Sequence, residues 1–167
     1  MLLRPAKVQD AMNVARVHVR SWQAAYRNLL PAEYLDSLRP EDRAARYTFE
    51  NPDTAKPWTI VAEDNGLIAG FATTGPARDE DAQGCGELYA IYVDPDYWDR
   101  GIGVELMKAA SARMVELGFE QAILWVMKGN ARAERFYTID GWQPDGQERA
   151  QVVWGISVSE LRYRRRL

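Results

Sequence analysis

The stretch Ile91-Tyr92-Val93-Asp94-Pro95-Asp96-Tyr97-Trp98-Asp99-Arg100-Gly101-Ile102-Gly103-Val104-Glu105-Leu106-Met107 passes from β-formers, through an Asp-Pro stop, into a glycine turn and an apolar-periodic segment. The β-branched and aromatic run beginning at Glu87 ends at Asp94-Pro95, because proline cannot donate to a central ladder. From Gly103 the positions Leu106, Met107, Ala110, Met114 and Leu117 recur on one helical face, and Gly118 stands where a left-handed C-terminal residue belongs. A strand feeding a helix through Gly-x-Gly is the expected structure. The first N–H groups of such a helix lack internal partners and carry the positive end of its dipole. Glycine lets an anion approach that backbone closely, and Arg100 adds a charge beside it. The turn therefore suits a phosphate or pyrophosphate, although a ligand-free connection has the same pattern. A third glycine is missing and the hairpin upstream is antiparallel, which argues against a dinucleotide-binding Rossmann unit.

Upstream of this stretch, Trp58-Thr59-Ile60-Val61-Ala62 and Leu67-Ile68-Ala69-Gly70-Phe71-Ala72 flank Asp64-Asn65-Gly66 and predict an antiparallel hairpin. Leu2 to Pro5 reads as a short first strand. Asp10 introduces a helix with Val14, Val17, Trp22 and Ala25 at helical spacing, ending near Tyr26, and a second helical region runs in pieces from Pro31 towards Phe49. Downstream, Ala122 to Val126 is an unbroken apolar run that suits a strand covered on both faces. Asn130 can cap a short helix carrying Ala133, Phe136 and Tyr137, closed by Gly141, and a last strand is expected near Gln151 to Val158. The order is βααβββαβαβ in one α/β layer system.

A chain of 167 residues fits one domain, with 47% hydrophobic and 27% charged residues. The net charge of −3 offers no field for nucleic acid or an anionic membrane, so neither is expected as a partner. Cys85 is the single cysteine, which excludes an internal disulfide and a cysteine-based zinc site; no metal is expected. No signal peptide or long apolar run opens the chain, so a cytoplasmic location is the expectation. Arg162 to Arg166 and the acidic Asp79 to Asp81 read as solvated surface.

The run from Ile91 to Met107 resembles the central motif of the GNAT N-acetyltransferase superfamily: an apolar-x-Val-x-Pro strand end, then Gln/Arg-x-x-Gly-x-Gly/Ala, then a Leu-rich helix. A second signature agrees, since Asn130-Ala131-Arg132-Ala133-Glu134-Arg135-Phe136-Tyr137 followed by Gly141-Trp142 is similar to the family's Asn-x-x-Ala-x-x-x-Tyr-x-x-x-Gly-Phe. Trp98 departs from the pattern, standing where the family most often has Gln or Arg. The resemblance implies one N-acetyltransferase domain over residues 1–167 with an α/β (α+β) fold. Its mixed, mostly antiparallel twisted sheet would have about six to seven strands flanked by about four helices. It implies acetyl-CoA as co-substrate, a small-molecule or peptide amine as acceptor, and leaves open a homodimer, which is common in the family.

Carried over residue by residue, the resemblance places the pantetheine arm along Ile91, Tyr92 and Val93. The pyrophosphate falls at Asp99, Arg100, Gly101, Ile102, Gly103 and Val104, with Asn130, Ala133 and Tyr137 flanking from the other side. Asn130 reads equally as a plain helix cap. Tyr137 matches the tyrosine that protonates the leaving thiolate in many members; its phenol suits that task, and a core role is the other reading. Glu87 is the candidate base, matching a catalytic glutamate of histone-acetylating relatives; period-two alternation puts it on the face of Tyr89, Ile91 and Val93, and burial would raise its pKa. Relatives acting on ribosomal-protein N-termini use a fifth-strand glutamate where this chain has Trp125. Trp22, Tyr26, Tyr89 and Trp125 are the candidate acceptor-pocket residues. His18 is expected to be a buried, hydrogen-bonded histidine. A non-catalytic acyl-CoA-binding domain and a nucleotide-binding module sharing only the glycine turn are the competing readings.

Overall fold

The computed structural model describes residues 1–167. Seven strands form one sheet: β1 (Leu2–Pro5), β2 (Trp58–Asp64), β3 (Leu67–Pro76), β4 (Gly86–Val93), β5 (Gln121–Met127), β6 (Gln143–Val153) and β7 (Ile156–Arg166). The spatial order is β1-β2-β3-β4-β5-β7-β6, and every neighbouring pair is antiparallel except β4 with β5. Five helices accompany it: α1 (Ala11–Ala25), α2 (Ala32–Ser37), α3 (Pro40–Ala44), α4 (Ile102–Glu116) and α5 (Ala131–Ile139). The expected mixed, mostly antiparallel α/β class is the observed one, and Gly118 and Gly141 close α4 and α5 where the sequence places them.

The core divides between the two sheet faces. Leu106, Met107, Ala110 and Met114 of α4 pack on Ile60, Ala62, Ala72, Leu88 and Leu124. Val14 and Val17 of α1 cover Val61, Ile68 and Phe71 on the opposite face. Leu106 and Met114 are fully buried, each removing an aliphatic side chain from water at a gain of about 1.5–3 kcal/mol.

Three expectations need correction. The single last strand is a hairpin, because Trp154 (φ 53°) and Gly155 (φ 80°) form a two-residue turn between β6 and β7. A tryptophan rarely adopts a left-handed φ, so the residue reads as strand interior. The C-terminal arginines are not a solvated tail. Arg162, 3% exposed in β7, holds Asp79 (2.9 Å), Asp81 (2.7 Å) and Asp145 (2.7 Å), which also ties down the acidic loop before β4.

The third correction concerns β4. Leu88 pairs with Thr74 but Ala90 pairs with Thr73, so Tyr89 is an extra residue bulged out of the β3–β4 ladder. The bulge inverts the alternation. Leu88, Ile91 and Val93 face α4, whereas Glu87 shares the other face with Ala90 and Tyr92. The expected common face of Glu87 with Ile91 and Val93 therefore does not exist.

Candidate active site

The parallel pair of β4 and β5 holds register only at Gly86↔Ala122, Glu87↔Ile123 and Leu88↔Leu124. Past Leu88 the strands diverge. From Tyr89 to Val93 the β4 edge has no strand partner on that side, and buried backbone groups without partners are costly. Two cavities open on either side of the gap and share Tyr26, Leu88, Tyr89, Ala90, Tyr92, Trp125 and Met127.

The first cavity, about 300 Å³, lies on the α4–α5 side. Ile91, Tyr92 and Val93 form one wall, and Asp99, Gly101, Ile102, Gly103 and Val104 form its end. Asn130, Ala133 and Tyr137 line the opposite wall on α5. Eleven of the twelve residues expected to contact the coenzyme are thus brought together. Arg100 is the exception: it is exposed, outside the lining, with its guanidinium 5.1 Å from the Tyr97 ring centre.

The glycine loop has the shape of an anion cradle. Gly101 sits at φ 78° as the residue capping α4, a conformation costing a non-glycine residue roughly 1–2 kcal/mol. A Cβ on Gly103 would meet Phe136 at 3.5 Å, an ordinary contact, so packing alone does not require glycine there. Ile102 and Gly103 are the first residues of α4, and no preceding turn satisfies their N–H groups.

Trp98 explains its own departure from the motif. Its indole Nε1 donates to the Val93 carbonyl at 2.8 Å, and Ser21 Oγ donates to the same oxygen at 2.9 Å. Both lone pairs of that carbonyl are used, closing the end of the free β4 edge. The outer face of Trp98 carries the Arg132 guanidinium at 3.9 Å, and Arg132 reaches Asp99 at 3.1 Å. Arg132 lines the first cavity, so a cation stands at the loop although Arg100 points elsewhere. No motif position marks it; the stacking on Trp98 and the ion pair with Asp99 bring it to the loop.

Asn130 is the helix cap, its Oδ1 accepting from the Ala133 N–H at 3.2 Å, and it also borders the first cavity. Tyr137 is 8% exposed, set edge-on against Phe136, Trp142 and Tyr163. Burial, and secondarily the neighbouring Tyr92, push its phenol well above the ordinary range, so it holds its proton.

The second cavity, about 230 Å³, lies on the α1 side against the β6–β7 hairpin. Trp22, Tyr26, Tyr89 and Trp125, the four acceptor-pocket candidates, all line it. So does Glu87, which is 1% exposed. Its Oε1 accepts from Arg78 Nη2 at 2.6 Å, and its Oε2 from the Arg78 backbone N–H at 3.0 Å and from Nε at 3.3 Å. Arg78 in turn lies over the Tyr89 ring at 4.2 Å.

His18 is buried as expected, stacked on Tyr92 with ring centres 4.4 Å apart. Its Nδ1 meets Tyr47 Oη at 2.8 Å and accepts from Arg43 Nε at 3.3 Å; since Arg43 can only donate, the ring proton is assigned to Nε2. Burial, and then Arg43, hold its pKa well below the ordinary value. Arg43, Arg149, Glu160 and Trp154 also line this cavity. They come from α3 and the last hairpin, far from both motifs, and sequence reading passes over them.

The family model described as "Acetyltransferase (GNAT) family" matches residues 19–142. The uncharacterized N-acetyltransferase YuaI of Bacillus subtilis (strain 168) is 31% identical over 128 residues, covering 77% of this chain and 72% of that protein. PaiA N-acetyltransferase from Thermoplasma acidophilum, solved in complex with coenzyme A, superposes with a TM-score of 0.74 at 18% identity, covering 99% of this chain and 98% of that one. The ribosomal-protein-alanine N-acetyltransferase from Brucella melitensis gives 0.74 at 24% identity, covering both chains completely. No helix is long and apolar enough to cross a membrane. With a family model spanning both sequence motifs, and the same fold in solved members, the chain belongs to the acetyltransferase (GNAT) family.

Proposed function

We propose that the protein transfers the acetyl group of acetyl-CoA directly to a primary amine of a small-molecule or peptide acceptor. The observation that carries this reading is the divergence of β4 from β5 past Leu88, which joins two cavities of different chemistry at one gap. The first cavity suits the coenzyme: an anion cradle at Gly101 to Val104, the Arg132 cation, and a β4 edge with unpaired backbone beside an apolar wall. Acetyl-CoA supplies an activated thioester for the amine to attack.

The protein's own residues supply position and proton traffic. Ile91 offers backbone groups to an extended ligand, while Val93 is closed off by Trp98 and Ser21. Tyr137, held protonated by burial on the coenzyme side, gives a proton to the departing sulfur. Glu87, on the acceptor side, takes a proton from the amine directly or through one water, and Arg78 fixes its orientation. Because the bulge at Tyr89 turns Glu87 away from Ile91 and Val93, the acid and the base serve opposite cavities. Trp22, Tyr26, Tyr89 and Trp125 wall the acceptor.

The test compares acetyl-CoA, ATP and NAD by calorimetry and then follows thiol release from acetyl-CoA against a panel of amines. Acetyl-CoA should bind most tightly and release thiol only when an amine is present. Preference for ATP or NAD overturns the coenzyme reading. Tight acetyl-CoA binding with no thiol release for any amine makes the protein a binding domain instead.

A further inference from the structure

The charges of the second cavity are unevenly answered. Three arginines line it, Arg43, Arg78 and Arg149, against two carboxylates, Glu87 and Glu160. Arg78 is paired with Glu87 at 2.6 Å, and Arg149 with Glu160 at 2.9 Å and Asp79 at 3.7 Å. Arg43 forms no ion pair. Its one hydrogen bond within 3.5 Å runs from Nε to His18 Nδ1; the Tyr47 hydroxyl also lies near the guanidinium, and no carboxylate answers its charge.

Arg43 is nonetheless held in place. Its guanidinium carbon lies 4.8 Å from the Trp154 ring centre and 5.6 Å from that of Tyr47, and the Nε bond fixes the plane from a third side. Tyr47 is anchored in its turn by the 2.8 Å contact with His18. A half-buried, planar fork fixed in advance among aromatic rings loses little entropy on pairing, and its geometry matches a carboxylate with two parallel hydrogen bonds. The low polarity of the surrounding rings strengthens such a pair relative to one in open water. A simple cationic amine gains nothing from this end of the cavity, because the remaining charge is positive.

We propose that the acceptor is an amine that also carries a carboxylate, bound with its carboxylate on the free fork of Arg43 and its amino group towards the gap between β4 and β5. This inference rests on the second cavity being the acceptor site. An amino acid or ω-amino acid with an apolar body fits: the charged end meets Arg43, the body lies along Trp22 and Trp154, and the nitrogen reaches the side of the cavity that Glu87 lines. Arg43 is then a specificity-determining residue that touches the acceptor away from the reacting atoms.

The experiment measures binding of matched N-acetylated products to the coenzyme A complex of the full chain. The probes are N-acetyl derivatives of the proteinogenic amino acids, of 4-aminobutyrate and of 6-aminohexanoate, each beside its primary amide. At least one carboxylate should bind about tenfold or more tightly than its amide, as expected for a charge-assisted pair. Arg43→Met should remove that margin while leaving amide binding and coenzyme affinity unchanged, and Arg43→Lys should restore only part of it. Panels in which no carboxylate outbinds its amide overturn the inference, as does a margin that survives in Arg43→Met. Failure of the coenzyme reading itself appears separately, as absence of coenzyme A binding in the unsubstituted protein.

Discussion

Arg78 Nη2 donates to Glu87 Oε1 across 2.6 Å, joining a mostly exposed cation to a carboxylate with 1% of its side chain exposed. Both residues line the second cavity, so in the proposed reaction Arg78 both orients the base and competes with the amine for it. Glu87→Gln should lower kcat about a hundredfold, the scale of a lost general base, with the acetyl-CoA Kd unchanged. Arg78→Gln should instead lower kcat by a smaller factor, because it removes the group that orients Glu87 while leaving the carboxylate in place. Full activity in Glu87→Gln would assign the proton to bulk water.

Tyr137→Phe removes one oxygen from a ring otherwise packed among Phe136, Trp142 and Tyr163. Folding should therefore be retained and coenzyme binding little altered, while the chemical step slows about a hundredfold. Single-turnover kinetics separates that step from product release. The effect should shrink for acyl donors with better leaving groups, and a uniform loss across donors would point to positioning alone.

The loop makes opposite demands on fold and ligand. In Gly103→Ala the new Cβ meets Phe136 at 3.5 Å, so stability should hold or rise by up to about 1 kcal/mol, while acetyl-CoA affinity falls about tenfold. Arg132→Ala should weaken coenzyme binding by a similar factor and flatten its salt dependence, because a cation facing phosphate is lost. Titration calorimetry at two ionic strengths reads both effects.

His18 should make the protein sensitive to mild acid. Burial depresses its pKa below the ordinary 6.5, so as the pH falls the unfolded chain takes the proton first. Stability from this group is complete above 6.5 and declines by roughly 1.4 kcal/mol per pH unit below it, until the folded-state value is reached. Denaturant melts of wild type and His18→Gln between neutral and mildly acidic pH should differ by that slope. Parallel curves would remove His18 as the source.

Arg162→Met leaves Asp79, Asp81 and Asp145 without their shared cation. Breaking a buried network from one side should cost about 3 kcal/mol and lower the melting temperature by several degrees. Asp79 also accepts from Trp125 Nε1 at 3.0 Å, so the acceptor wall should loosen as well, seen as a change in Trp125 fluorescence.

Most of the architecture can be read from the sequence because its signals are local. The Asp64-Asn65-Gly66 turn, the α4 stripe, and Asn130 and Gly141 around α5 each act within a few residues. The coenzyme side is legible for the same reason, being one continuous strand–loop–helix plus one short helix. What escapes reading depends on distant partners. The bulge at Tyr89 is a mismatch of two strands, and it inverts the face assigned to Glu87. Arg162 looks like tail until three aspartates from two other segments meet it, and Arg132 becomes a loop cation through Trp98 and Asp99. Trp154 hides its turn because its residue type carries no turn preference.

The short seam at Gly86 to Leu88 also bears on how the molecule responds to its cargo. With so few parallel pairs, strands β1 to β4 and strands β5 to β7 are two half-sheets sewn together at one end, and in the proposed complex the pantetheine arm would occupy the place of the missing stitches. Coenzyme loading should then slow amide hydrogen exchange on both sides of the gap at once, in β4 and in β5, rather than only around the glycine loop. The empty enzyme would breathe along that seam, and the loaded one would move as a single body.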